Sequence, residues 1–395
     1  MNKKIMCLDN LTMSSNIRIG IHKYASLFSK QGFEILSVAN YISFHNFLRR
    51  NTRDKEMIAA WKKGIAIHDE GLKSCVPFCY LPYLALPLLD SMLVASNCLK
   101  YCAPPIKKVL KKAGFLNPDI VFITNIQLLS MLKLVKPKVI IMRIADRVEG
   151  FGLTPKTILE VQKEAIKKSN YVFVTSKNLY EEVKELNVND NIIRLPNGVD
   201  RDFIKKDDKS YPVPEEYKNI SKPIVFYVGA ISDWFDYDVY EYGLSQLQDF
   251  SFVMVGPILG VQQHKSSMKI QDWQKKYKNF YYLGVKKHDE LPSYLAHSHV
   301  GLIPFTITPM TNEINPIKLF EYAAYGLPVV ASNMEELEDY KDNVFRYKNE
   351  NEFVQLLLEH SKKDEIESEK QIQFARDNTW EKRFDYMYSI IKDQL

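Results

Sequence analysis

The chain has no apolar run long enough to act as a secretory leader or to cross a bilayer. Its opening, MNKKIMCLDNLTMSSN, sets two lysines ahead of a short apolar run that soon gives way to polar residues, so the apolar centre of a signal peptide is missing. The expected compartment is the cytoplasm. Cysteine is scarce: Cys7, Cys75, Cys79, Cys98 and Cys102 are the only five, which excludes a disulfide framework and fits reducing surroundings. Two pairs are spaced C-x3-C, which would put both sulfurs of a pair on one helix face. The spacing is no standard zinc knuckle and no histidine joins it, so buried thiols are expected and no metal. Low-complexity segments, solenoid or propeller repeats and nucleic-acid motifs are absent too.

What the chain does have is ordinary globular composition. Its 395 residues are 46% hydrophobic and 26% charged, enough for two cores. A net charge of +5 hides an asymmetry: residues 1–200 carry 29 Lys+Arg against 17 Asp+Glu, the remainder 24 against 31. The basic half suits an anionic partner such as a diphosphate or an acidic lipid surface.

Strand and helix alternate in both halves. KIMCLD reads as a buried strand, Ile17 to Lys30 as an amphipathic helix and FEILSVAN as the next strand. DIVFITN and KVIIMRIAD are continuous apolar runs rich in β-branched residues, as in parallel strands buried on both faces. KPIVFYVGA, FSFVMVGP, NFYYLG, VGLIPF and LPVVAS repeat the plan. Two successive α/β units with parallel sheets follow, and the charged, proline-dense stretch RDFIKKDDKSYPVPEEYKNISKP marks the boundary.

Ligands of doubly wound sheets bind at the carboxyl ends of strands. VGLIPF ends at Phe305, and a polar loop leads to NPIKLFEYAAYGLPVVAS. Asn315 is expected to cap a helix that starts at Pro316 and stops at Gly326. The helix start, with its free N–H groups, is suited to an anion. Lys318 in the first turn opposes the dipole unless it has an anionic partner, and Glu321 lies on the same face. A diphosphate held by Lys318 and a ribose held by Glu321 fit this spacing; so does a surface ion pair between the two. Asp146, at the carboxyl end of KVIIMRIAD, is placed to take a proton from a hydroxyl, with Arg143 and Arg147 flanking it and keeping it ionised. A structural ion pair with those arginines is the alternative.

NPIKLFEYAAYGLPVVAS resembles the donor-site signature of the GT-B glycosyltransferases. Four further stretches resemble that fold in the expected order: GIHKYASLFSKQGFEILSV, YVFVTSKNLYEEVKE with IIRLPNGVD, IVFYVGAISDWFDYD, and NFYYLGVKKHDELPSYLAHSHVGLIPF. NTWEKRFDYMYSII is similar to the last helix of the fold, which crosses back onto the N-terminal domain. The look is closest to bacterial exopolysaccharide transferases such as the xanthan glucuronosyltransferase. The resemblance implies an α/β fold with two Rossmann-like doubly wound domains facing a central cleft: 1–203 for the acceptor, 204–375 for the nucleotide sugar, and a crossover helix at 376–395.

It also implies residue roles and partners. Lys318 would meet the donor diphosphate and Glu321 the ribose. Gly229 would let the backbone approach the nucleotide, Glu313 and Asn315 would complete the donor side, and Asp146 would be the general base. His22 is a candidate to touch the acceptor or the sugar, beside Arg143 and Arg147. No cofactor or metal is expected, since no D-x-D stands in a suitable loop. The expected reaction moves a sugar from a nucleotide sugar, UDP-glucuronate in the first instance, to a lipid-linked glycan, with inversion. Glu313 and Glu321 keep the E-x7-E spacing of retaining family 4 (group 1) transferases without the usual E-G-F-G context, so retention is the alternative. Epimerases of the same fold and a non-catalytic nucleotide-sugar binding partner are the other two.

The resemblance covers most of the chain apart from about residues 40–115, and a candidate membrane-facing segment lies there at about 75–112. There an apolar, aromatic run precedes a basic helix with Lys107, Lys108, Lys111 and Lys112. Prolines at 77, 82 and 87 argue against a spanning helix and for a monotopic contact with the inner face of the cytoplasmic membrane.

Overall fold

The computed structural model describes residues 3–13, 20–49, 51–68, 71–148, 154–207, 210–260, 262–362 and 365–395. It divides into two compact units, Met1–Pro196 with Phe384–Leu395, and Asn197–Arg383.

The first unit is built on an eight-stranded sheet. Its strands are β1 (Lys4–Leu8), β2 (Glu34–Val38), β3 (Ala66–Ile67), β4 (Lys73–Cys75), β5 (Ile120–Ile123), β6 (Val139–Ile144), β7 (Tyr171–Val174) and β8 (Ile192–Arg194). They lie in the order β3-β4-β2-β1-β5-β6-β7-β8, parallel except for the β3–β4 pair. The apolar runs form central strands because helices cover both faces; every residue of β5 is buried. The helix Gly20–Lys30 buries Ile21, Tyr24, Ala25 and Phe28, the spacing of one helix face. Its expected first turn, from Ile17, lies outside the described residues.

The second unit holds a six-stranded, all-parallel sheet: β9 (Ile224–Val228), β10 (Ser251–Val255), β11 (Phe280–Tyr282), β12 (Val300–Ile303), β13 (Val329–Ser332) and β14 (Phe345–Tyr347), in the order β11-β10-β9-β12-β13-β14. Strand order reverses beside β1 in one sheet and beside β9 in the other, which makes the carboxyl ends of these strands the places to look for ligands.

Three expectations need correction. The stretch expected as a linker is part of the second unit, because Phe203, Ile204, Tyr217 and Ile220 are buried in its core. The division falls at Pro196/Asn197 instead of 203/204, since Asn197 is held by Asn315 and Val199 bridges Thr379. The final helix runs Trp380–Ile391 and joins the first unit from Phe384, whose ring packs 4.9 Å from that of Phe28. The C-x3-C pairs do not share helix faces either. Cys75 ends β4, and Cys79 forms an isolated antiparallel bridge with Cys102. All five thiols are free and buried, and burial pushes that of Cys75 up to about 12. No helix among the described residues is long and apolar enough to cross a membrane.

Candidate functional site

In the second unit the carboxyl ends of β9 and β10 are drawn close by glycine. Gly256 follows β10 with φ +141°, and a Cβ there would lie 1.9 Å from the carbonyl oxygen of Gly229. Gly229 follows β9 with φ +148°, and a Cβ on it would lie 2.2 Å from Cε and 2.6 Å from Nζ of Lys318. The absent side chain at Gly256 therefore lets the Gly229 backbone approach, and that at Gly229 leaves the room that Lys318 occupies.

The helix carrying Lys318 runs Ile317–Ala323, with Pro316 at its N-cap and no side-chain capping bond. Its length of seven residues leaves little macrodipole, so an anion here would depend mainly on the lysine charge. Tyr322 fixes the helix against the sheet: its hydroxyl donates to Leu302 O (3.1 Å) and accepts from Val228 N (3.0 Å). Lys318 Nζ lies 5.8 Å from the Tyr227 ring centroid and 5.4 Å from that of Phe305. Loss of water holds the ammonium below the usual lysine value, with the Glu321 carboxylate opposing. Among the described residues Lys318 has no ion-pair partner within 4.0 Å, Glu321 included. A desolvated cation between two rings, facing a glycine, is an arrangement an incoming anion would complete.

Glu321 is partly accessible and lies 3.4 Å (Oε1) from Nε2 of His288. The His288 ring is 4.6 Å from that of Phe203. Neither His288 nor Phe203 was singled out from sequence; the only hint was that KKHDE follows the third strand of this sheet.

Asn315 does not cap the helix. Its Oδ1 accepts from Asn197 N (2.9 Å), and its Nδ2 donates to Glu336 Oε1 (2.8 Å) and Tyr340 Oη (3.0 Å). With Pro316 as N-cap, its side chain is free to tie this loop to two others. Asn315→Ala removes these three bonds from a buried network and is expected to cost about 2–3 kcal/mol, read as a lower urea midpoint. An unchanged midpoint would show that the network does not support the fold. Glu313 is buried in the turn Thr311–Glu313 that precedes it.

The first unit gathers polar side chains at the carboxyl end of its own sheet. Asp9, directly after β1, is fully buried, and its Oδ2 lies 3.0 Å from His22 Nε2. Its Oδ1 accepts from Asn10 N (2.6 Å), and Asn125, after β5, donates through Nδ2 to its backbone oxygen (3.2 Å). His22 is thus buried and paired, and Asp9 is the partner that sequence reasoning missed. Asp146 follows β6. Burial raises its carboxyl above the usual range, with the Arg143 guanidinium opposing. Burial thus outweighs the Arg143 charge that was expected to favour the ionised form. Arg143 is buried against the Tyr24 ring (5.7 Å), and Arg147 Nη2 is 2.7 Å from Glu182 Oε2.

Residues 242–389 match the family described as "Glycosyl transferase-like". A Bacillus subtilis (strain 168) protein described as a teichuronic acid biosynthesis glycosyltransferase, TuaH, is 24% identical over 181 residues, 45% of this chain. The chain spans 44% of that relative's length. Among solved structures, Anabaena HepE in complex with UDP and glucose superposes with a TM-score of 0.70 at 13% identity, covering 99% of this chain and 100% of that one. A glycosyltransferase from Rickettsia africae gives 0.64 at 15%, covering 100% and 98%. Sucrose-phosphate synthase from Thermosynechococcus elongatus gives 0.63 at 14%, covering 99% of each. At such identities the likeness is one of fold, and that fold is GT-B.

Proposed function

We propose, for a chain that has the GT-B glycosyltransferase fold and whose residues 242–389 match a glycosyl transferase-like family, that it transfers a sugar from a nucleotide sugar to a glycan acceptor. The observation that carries this reading is Lys318, a desolvated cation with no counter-ion among the described residues, set against Gly229 at the carboxyl end of β9. A diphosphate supplies the missing charge, and Glu321, one turn on, accepts from ribose hydroxyls. The donor assigned is a UDP-sugar, the nucleotide held by HepE. UDP-glucuronate comes first, in keeping with the uronic acid in the name of the B. subtilis relative. The acceptor assigned is a lipid-linked saccharide of polysaccharide assembly, met by a peripherally bound protein at the inner face of the cytoplasmic membrane.

The reaction is a single displacement with inversion. The acceptor oxygen forms a bond to the anomeric carbon as the bond from that carbon to the diphosphate oxygen breaks. The acceptor proton passes to Asp146. Negative charge gathers on the departing diphosphate, where Lys318 stabilises it. The residues assigned to these steps need no metal.

The direct test is thermal stabilisation by UDP, GDP and CMP, with Glu321→Ala as control. At a hundred times its dissociation constant a ligand adds about 2.7 kcal/mol. UDP is expected to raise the melting temperature of the wild type, and the variant to lose that shift. A preference for GDP or CMP would keep the transferase and discard the uridine donor; no shift with any nucleotide would reject the donor site.

A further inference from the structure

The helix Phe44–Arg49 in the first unit has no buried residue. Its side chains nevertheless include Phe44, 62% exposed, and Leu48, 82% exposed. Phe44 packs edge-on against Phe78 (5.2 Å) and lies 5.9 Å from Tyr80, itself 56% exposed. An aromatic and aliphatic cluster left open in this way is uncommon on a soluble surface unless something covers it.

Its place in the fold is defined. Ile42, shortly after the carboxyl end of β2, bridges Phe78, shortly after that of β4. The cluster therefore lies at the same edge of the sheet as Asp146. Phe78 O accepts from Ala103 N and Tyr101 O from Tyr80 N, both at 2.9 Å, which joins the cluster to the chain just before the helix Ile106–Ala113. That helix buries Ile106, Leu110 and Ala113 and leaves Lys107, Lys108, Lys111 and Lys112 exposed. Its start adjoins the cluster. Its end adjoins the opposite edge, where Lys4 Nζ donates to Gly114 O (2.9 Å). The four lysines are thus not equivalent: Lys107 and Lys108 are in the first turn after the segment bonded to the cluster, and Lys111 and Lys112 lie a turn farther along. Residues 42–112 carry 12 Lys+Arg against 5 Asp+Glu. An apolar cluster bordered by cations complements an anionic bilayer surface, acyl chains meeting the first and headgroups the second.

We infer that Phe44, Leu48 and Tyr80 enter the interface of an anionic membrane with Lys107 and Lys108 on its headgroups, bringing the sheet edge that bears Asp146 against the bilayer. This rests on the peripheral-membrane part of the function proposed above and narrows it. The contact centres on a helix outside residues 75–112, and half of the basic helix takes little part.

Flotation of the full chain with phosphatidylglycerol-containing vesicles tests the inference, with pure phosphatidylcholine vesicles as reference. Wild type is expected to float with the anionic vesicles only. Phe44→Ser with Leu48→Ser should lower partitioning roughly tenfold or more. Lys107→Gln with Lys108→Gln should lower it roughly fivefold for each lysine, and Lys111→Gln with Lys112→Gln less than about twofold. The single change Leu48→Ser, at the most exposed position of the helix, covers the case in which the double variant misfolds. Quenching of tryptophan emission by brominated lipid gives a second readout, with Trp61→Phe as the control that assigns it to Trp61, whose ring is 6.2 Å from that of Phe47. Wild-type flotation by the serine variants, equal loss from the two lysine pairs, or an unquenched Trp61 overturns the inference. So does binding only to vesicles carrying polyprenyl phosphate, which would make the cluster a seat for an acceptor tail. Failure of wild type to float at all also removes the membrane reading. UDP stabilisation is measured separately, so the donor site stands or falls by itself.

Discussion

Replacing Lys318 by methionine is expected to lower kcat/KM by about 10²–10³, the usual effect of removing one preorganised group from developing charge, while raising the melting temperature of the nucleotide-free protein. Both effects have one cause. In the folded chain the ammonium has lost water and, among the described residues, has no counter-ion within 4.0 Å, so its proton is held less tightly than in the unfolded chain. Below the folded value both states are protonated, and the charged lysine destabilises the fold by a constant amount. As pH rises from that value toward the unfolded value of about 10.4, the unfolded state binds more protons, stability rises, and the cost disappears. Methionine has similar reach and no charge, so it removes the cost at pH 7, and its advantage shrinks as the pH becomes alkaline. Melting curves from pH 7 to 10, with and without UDP, separate the effects: the variant should melt higher alone and gain nothing from UDP. A variant that melts lower alone and still gains from UDP would show that Lys318 is an ordinary packing residue.

The second large effect belongs to Asp146. Asp146→Asn is expected to reduce kcat by about 10²–10⁴, the range for a lost general base, with donor binding unchanged. Burial raises the folded-state value of this carboxyl. Wild-type activity should therefore increase with pH through a limb above the usual carboxylate range, and the variant should lack that limb. The stability linkage has the corresponding sign. Below the unfolded value of about 3.9 both states are protonated. As pH rises from there through the folded value, the folded state binds more protons and stability falls. The asparagine variant does not suffer that loss, so at neutral pH it should be the more stable and less active protein. If the same limb persists in the variant, the base is another group, and the buried His22–Asp9 pair at the same sheet edge is the one to test next.

These expectations show how far sequence reading reaches. That Lys318 and Glu321 share a helix beside a strand end was legible because spacing over a few residues carries it; their roles, and the choice of Gly229, came from the resemblance. Asn315 was expected to cap the helix, a place that Pro316 takes instead. An asparagine before a proline signals a cap, and only three-dimensional packing brought Asn197, Glu336 and Tyr340 within its reach. Asp9 and His22 are thirteen positions apart and belong to no local motif, so their pairing had no sequence signal. The segment 201–220 read as a linker because its charges and prolines outnumber its apolar residues, yet those few, Phe203, Ile204, Tyr217 and Ile220, are buried in the core.

By itself the sequence determined the alternation of buried strands and amphipathic helices, the parallel character of both sheets and the identity of the charged residues near the donor loop. Each of these depends on periodicity, composition or spacing over a few residues. Tertiary structure decided which charges have partners. It gave Arg147 a carboxylate in Glu182, left Lys318 without one among the described residues, raised Asp146 by burial, and turned Phe44 and Leu48 outward. Solvation and pairing depend on atoms far apart in the chain, and no local pattern carries that information.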